Sequence, residues 1–441
     1  MLLLTFLSVM PVFAQCRIGR QVSRARKAAR RHWLILALLL SAAIPAHAVT
    51  YIFPGFLPGG CSGNSGNYTC GALTLDAGDA LKGLSGAVNL TVNGDFTANG
   101  SVKINENGSA NNFNILVNGV TITGLNSVVN ANISSLGTDS VINIGGSNRI
   151  IGDLQTKDAA INVGDGSSVQ GALSTTNSGV ITVGRNSSVS GGLTTFTGAI
   201  NVGAYSTTGA LISTSAGAVT TGDFSVVNGK ISTGAGAVTI GADSKVLGSI
   251  STAVGAITTG ARSTVSGKIN NLDTSTAGAV TVGAAATVGG PIVTGAGAVT
   301  VGDSGKVNGS IVTGAGAVTL GASAEAAGIA TQDGAITVGA SSRVKGSLCT
   351  GNSGAITVGA GSTVDGNVIT QTAGAITVEA NAKVLGIAKV EKAGALSVAA
   401  SATVGTVKSN MQCADVTVVG PSVPSGPPVI KSREWRQLFM R

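Results

Sequence analysis

Ala237-Val-Thr-Ile-Gly241 and Ala298-Val-Thr-Val-Gly302 are copies of one phrase that recurs down most of the chain. Earlier copies read Val141-Ile-Asn-Ile-Gly145, Ala160-Ile-Asn-Val-Gly164 and Val180-Ile-Thr-Val-Gly184, and a later one reads Ala355-Ile-Thr-Val-Gly359. The closing position falls at residues 145, 164, 184, 203, 222, 241, 260, 283, 302, 321, 339, 359, 379 and 399. Most intervals are 18 to 20 residues and one is 23, and the last two copies decay to Glu379 and Ala399. A fixed period of this size marks a solenoid, in which each repeat is one small unit stacked on its neighbours.

The residues within a repeat say what the unit is made of. Counted from the closing glycine, the third and first residues before it are apolar. The fifth after it is usually Val (Val189, Val227, Val246, Val265), and the seventh is usually Gly (Gly191, Gly229, Gly248). The ninth is Ile, Leu or Val (Leu193, Ile212, Ile231, Ile250), and the eleventh is mostly Thr. Each repeat thus carries three short segments of period-two alternation parted by small residues, which is strand chemistry. A helix needs longer apolar faces at 3.6 spacing and tolerates this much glycine poorly. The reading is an all-β chain forming a single three-sided β-solenoid with about 19–20 residues per rung. No aromatic residue occurs between Ser225 and Glu434, as a narrow interior filled by single aliphatic side chains requires. Fourteen rungs at roughly 4.8 Å predict a rod of about 65 Å. Val183 and Val189 fit the six-residue spacing of a left-handed hexapeptide helix, but Leu193 follows too soon, so the period favours a right-handed β-helix.

Composition agrees. Of 441 residues 66 are glycine, aromatics are 3% and charged residues 10%, about half the usual charged share. Bulky anchors for an ordinary globular core are missing. Beyond residue 48 no run of about 18 apolar residues occurs, so the positive mean hydropathy does not signal a membrane span. The formal charge of +8 is local: Arg17, Arg20, Arg24, Arg26, Lys27, Arg30 and Arg31 all precede residue 48, and removing these seven from 27 leaves 20 Lys+Arg against 19 Asp+Glu. His32, His47, Trp33 and Cys16 lie in the same segment. That segment reads as an export signal: a basic region, an apolar run from Trp33 to Ala43, and Ala46-His47-Ala48 as a small-x-small cleavage site. The mature chain is expected to start at Val49, nearly neutral and free of histidine. The apolar run is too short for an uncleaved anchor. A second apolar stretch, Met1 to Ala14, precedes the basic region, which an over-extended start with initiation at Val22 would explain; Arg30-Arg31 hints at twin-arginine export.

The expected organisation is a signal peptide over 1–48, an N-terminal cap with irregular first rungs over 49–135, and the regular solenoid over 136–407. A C-terminal segment with a Pro-rich linker follows over 408–428, then an amphipathic tail over 429–441. In the cap, Leu90-Thr-Val-Asn-Gly94 and Leu116-Val-Asn-Gly119 are looser copies of the phrase. Cys61 and Cys70 flank a Gly/Ser/Asn loop and are expected to pair in an exported chain. Cys349 and Cys413 pair if the segment after residue 405 folds back along the rod; otherwise they are two free thiols. Pro421-Ser-Val-Pro-Ser-Gly-Pro-Pro428 cannot join a sheet. Beyond it, Trp435, Leu438 and Phe439 beside Arg433 and Arg436 suit a docking peptide or a membrane-surface anchor, or an unstructured tail with incidental aromatics.

Two resemblances rest on these residues. The stacked Gly-Ala-Ile-Thr-Val-Gly and Ser-x-Val-x-Gly phrases resemble the bactofilin class of polymer-forming β-helix proteins. Tyr51-Ile-Phe-Pro-Gly, Cys61, Tyr68-Thr-Cys70 and Val92-Asn-Gly-Asp-Phe96 resemble the N-terminal region of the mannose-sensitive haemagglutinin pilus biogenesis protein Q family. Together they cover residues 51 to about 407. They imply polymer formation or a place in pilus biogenesis. Bactofilins are typically cytoplasmic, so the export signal departs from that class.

Catalysis finds little support. Polysaccharide-cleaving β-helices need clustered carboxylates, whereas Asp223, Asp243, Asp273, Asp303, Asp333 and Asp365 occur about one per rung or fewer. Asp223 and Asp303 share the position after the closing glycine but lie four rungs apart. Left-handed acyltransferases use a histidine base, zinc sites use His and Cys ligands, and the toxin-type calcium nonapeptide is absent, so no cofactor or metal is expected. Near-neutral charge and few aromatics argue against nucleic acid. One surface does stand out. Thr220, Thr239, Thr258, Thr281, Thr300, Thr319, Thr337, Thr357 and Thr377 should form an outward ladder beside Ala218, Ala237 and Ala298, broken toward the N-terminus by Asn143, Asn162 and Asn201. Such an array suits ice binding, or reflects the β propensity of Thr. The expected role is therefore an exported, non-enzymatic structural or surface protein of periplasm, outer surface or extracellular space. Its partners would be further copies of itself or envelope and pilus components, and the alternative is an adhesin or ice binder. Disulfide closure at the N-terminal end should limit joining there, which makes dimers or tail-directed attachment as natural as long filaments.

Overall fold

The computed structural model describes residues 48–84, 86–271, 278–411 and 413. The signal segment, Asp273, the Pro-rich linker and the tail with Trp435, Arg436, Leu438 and Phe439 lie outside the described residues.

The chain is a three-sided β-solenoid of about 17 parallel coils. One coil contains three short strands, for example Val238–Ile240 on face one, Lys245–Val246 on face two and Ile250–Thr252 on face three. Each strand pairs in parallel with its counterpart one coil on. Val238, Thr239 and Ile240 lie against Ile257, Thr258 and Thr259; Val246 lies against Val265, and Ile250 against Ile269. Like residues therefore stack on like, which is why the period in sequence is so strict.

Alternation sets the faces. Val238, Val246 and Ile250 point inward with 0% exposure, while Thr239 and Lys245 point out. The interior is not wholly aliphatic. Thr233, at the inward end of its face-three strand, donates from Oγ1 to the Gly236 and Gly217 carbonyls and accepts from Gly236 N at 2.8 Å. Ser225 and Ser244 form a second buried hydroxyl ladder: Ser244 Oγ donates to the Gly222 carbonyl at 3.0 Å and accepts from Ser225 N at 3.1 Å. Threonine at the eleventh position is thus a corner staple as well as a strand former.

The corners also explain the glycines. A Cβ on Gly241 would run into the backbone of Gly222 and Asp223 in the preceding coil, so the closing position must stay bare for coils to nest. The left-handed backbone of this corner falls two residues later, at Asn186, Tyr205, Phe224, Asp243 and Arg262, with φ between 53° and 60°. Asn and Asp adopt it readily, whereas Tyr, Phe and Arg are held there by the surrounding ladder.

Residues 50–135 belong to the same three sheets: Leu73 pairs with Phe96 and Phe96 with Thr121, which in turn pairs with Ile142. The rod therefore contains more coils than the fourteen regular closing positions suggested, and at roughly 4.8 Å per coil it extends about 80 Å rather than 65 Å. These first coils are wider, and Phe53, Tyr68, Phe96 and Phe113 fill them. Phe53 meets Tyr68 and Phe113 edge-on at 4.8 and 5.8 Å.

The two ends differ. At the N-terminal end Cys61–Asn64 runs antiparallel to Asn67–Cys70, with Cys61 disulfide-bonded to the opposing Cys70. Phe56 folds back on the first strand, and Ile52 N donates to its carbonyl at 2.6 Å. At the other end the last coil is Ala388–Val390, Leu396–Val398 and Thr403–Val404. The following residues turn back along face three, where Cys413 is disulfide-bonded to Cys349.

Candidate interaction surfaces

The nine threonines form one continuous column on face one. Register pairs Thr220 with Thr239, Thr239 with Thr258, and so on through Thr281, Thr300, Thr319, Thr337 and Thr357 to Thr377. Thr220 to Thr337 are exposed; Thr357 and Thr377 are half-buried. Asn201 stacks on Thr220 at one end and Ser397 on Thr377 at the other, so the asparagines precede the run rather than break it. Ala218, Ala237, Ala256, Ala279, Ala298, Ala317 and Ala335 are exposed beside it. The result is an uncharged strip about 38 Å long, from eight intervals at roughly 4.8 Å.

Face two is the charged side. Its outward column includes Lys245, Lys306, Glu325, Arg343 and Lys383. Glu325 lies between Lys345 at 3.1 Å and Lys306 at 3.7 Å. The hydrogen bond from Lys345 and the nearby charges of both lysines hold its carboxyl below the usual glutamate range. Arg343 reaches Asp365 at 2.9 Å.

The acids at the corner between faces one and two bind the protein's own backbone. Asp223 Oδ1 accepts from Ala242 N at 2.7 Å, Asp303 Oδ1 from Ala322 N at 2.8 Å, and Asp165 Oδ1 from Arg185 N at 2.7 Å. Each carboxylate thereby ties its corner to the next coil. Asp243 instead receives a two-pronged bond from Arg262, at 2.7 and 2.6 Å. That bond, reinforced by the guanidinium charge, lowers the Asp243 pKa and raises that of Arg262. The shared position of Asp223 and Asp303 is thus a structural repeat, and no reacting pair of carboxylates is assembled from them. Tyr205 and Phe224 stack on the same corner, ring centroids 4.9 Å apart and both about half exposed. Sequence reasoning missed this aromatic step because it assigned no role to the second residue after the closing glycine.

On face three the outward column changes character along the rod. Ser232 and Ser251 are half-buried, whereas Val312, Ala330, Cys349 and Ile369 are buried. Part of the cover is the returning segment. Ser347 Oγ donates to the Met411 carbonyl at 2.8 Å, Asn367 Nδ2 donates to the Ser409 carbonyl at 2.9 Å, and Ser409 N donates to Asn367 Oδ1 at 2.9 Å. With the Cys349–Cys413 disulfide these bonds strap residues 405–411 and Cys413 to the side of the rod.

Among the described residues no cluster of three His, Cys, Asp or Glu is arranged to hold a metal, and no helix is long and apolar enough to cross a membrane. Comparison with known proteins finds no matching family model, no matching curated protein and no matching solved structure.

Proposed function

We propose that this chain is an exported, non-enzymatic structural rod that associates with further copies of itself or with envelope components such as pili. The supporting observation is how its polar groups are used. Corner carboxylates at Asp165, Asp223 and Asp303 bind the backbone of the neighbouring coil, and the buried hydroxyls of Thr233 and Ser244 bind corner carbonyls and amides. Chemistry-bearing side chains are thus spent on holding coils together. Two disulfides suit an oxidising compartment outside the cytoplasm, in keeping with the signal segment. The resemblance to polymer-forming bactofilins and to the pilus protein Q family points the same way. Expression with the signal segment, followed by fractionation and N-terminal sequencing, tests export: recovery from the periplasm or medium beginning at Val49 supports the reading, and an intact chain retained in the cytoplasm contradicts it.

The threonine strip supports a second reading, binding to ice. Its hydroxyls and methyls repeat regularly over nine coils along an uncharged column, about 4.8 Å apart. Thermal hysteresis that disappears in Thr300→Lys would support it; a folded chain that leaves ice growth unchanged would remove it.

A further inference from the structure

The ends of the rod decide how copies can join. At the N-terminal end two of the three sheet edges are occupied by the chain itself, through the Cys61–Cys70 hairpin and the Ile52–Phe56 bridge. Head-to-tail stacking needs that end open. The C-terminal end has no such cover among the described residues. Leu396 and Val398, whose counterparts Ile376 and Val378 are buried at 0% and 1%, stand 47% and 42% exposed. Ala388, Val390 and Val404 are only half-buried. Among the described residues no further coil pairs with the outer edges of these last strands, and unpaired edges recruit other strands.

From this we infer that two copies of the chain join end to end through their C-terminal coils, around a two-fold axis, and that assembly closes at the dimer. The proposal rests on the self-association reading above and makes it specific. A two-fold axis across the rod turns each strand antiparallel to its partner. Passing through face three, it sets that face against face three of the second copy, and face one against face two. Charge selects the register on face three. Lys389 and Glu391 both lie exposed on that outer side, 3.7 Å apart within one chain. With the axis at Val390, Lys389 of each copy lies opposite Glu391 of the other, and the inward Val390 side chains meet on the axis. An axis at Lys389 would instead bring the two lysines together. The joint covers only one coil's cross-section, well below the roughly 800 Å² per partner of a standard interface. The dimer should therefore dissociate on dilution.

Sedimentation of the disulfide-intact exported chain over a range of concentrations tests this. The expected result is a monomer–dimer equilibrium with no larger species. Lys389→Glu should weaken it about tenfold by setting like charges opposite each other, and the double exchange Lys389→Glu with Glu391→Lys should restore it. Both residues are exposed, and an unchanged melting curve verifies that each variant is folded. Filaments, or a dimer indifferent to both variants, would overturn the C-terminal joint while leaving self-association standing. A chain monomeric at every concentration would overturn this joint and the self-association reading together.

Discussion

Val246 and Thr239 belong to one coil and face opposite ways, and substitutions separate their roles. Val246 is fully buried among aliphatic neighbours, so Val246→Asp places an unpaired charge where nothing can answer it. A loss of about 3 kcal/mol or more is expected in denaturant unfolding. Thr239→Ala should change stability by no more than about 0.5 kcal/mol, because its side chain stands in solvent. Thr233→Ala lies between: it removes a hydroxyl that bridges corner groups of two coils, and should cost about 1 kcal/mol. The inward and outward positions were legible because period-two alternation fixes them. The dual role of Thr233 was not, since a threonine inside a narrow solenoid and one outside it look alike in sequence.

At the scale of strand and corner, the glycine pattern announced where corners fall but not how they are built. The closing glycine is bare to clear the coil beneath it, while the left-handed residue sits two places on and accepts Tyr205, Phe224 or Arg262 as well as Asn186. Gly236, at the corner between faces three and one, is bare for the same reason, so Gly236→Ala should be costly although no special φ is involved: its Cβ would press on the Gly217 carbonyl one coil down. A fall in melting temperature well beyond that of Thr239→Ala would verify this. The Asp243–Arg262 pair gives a corner its pH dependence. The folded-state pKa of Asp243 is depressed, so its contribution is present above the ordinary aspartate pKa and is lost as pH falls through the depressed value. Stability should thus decline below about pH 4, and the decline should be shallower in Arg262→Gln when the two acid titrations are compared.

For the whole molecule, the sequence carried the solenoid and its three sides but understated its length. The looser phrases at Leu90 and Leu116 hid coils as regular in register as the later ones, because aromatic fillers such as Phe96 and Phe113 replace the small aliphatics that made the repeat visible. The return of residues 405–411 and Cys413 along face three was legible only as a condition on Cys349 and Cys413. Its anchor, Asn367, carried no sequence signal, since one asparagine among many marks nothing until Ser409 and Met411 lie against it. Cys413→Ser should loosen this strap without unfolding the rod, seen as faster amide exchange at Ser409 and Met411 with unchanged exchange at Val246. The central claim is the rod itself, and electron microscopy of the purified chain from residue 49 onward tests it most directly. Slender particles about 80 Å long, single or joined in pairs at one end, are the expected result. Compact, rounded particles of the same mass would contradict the account.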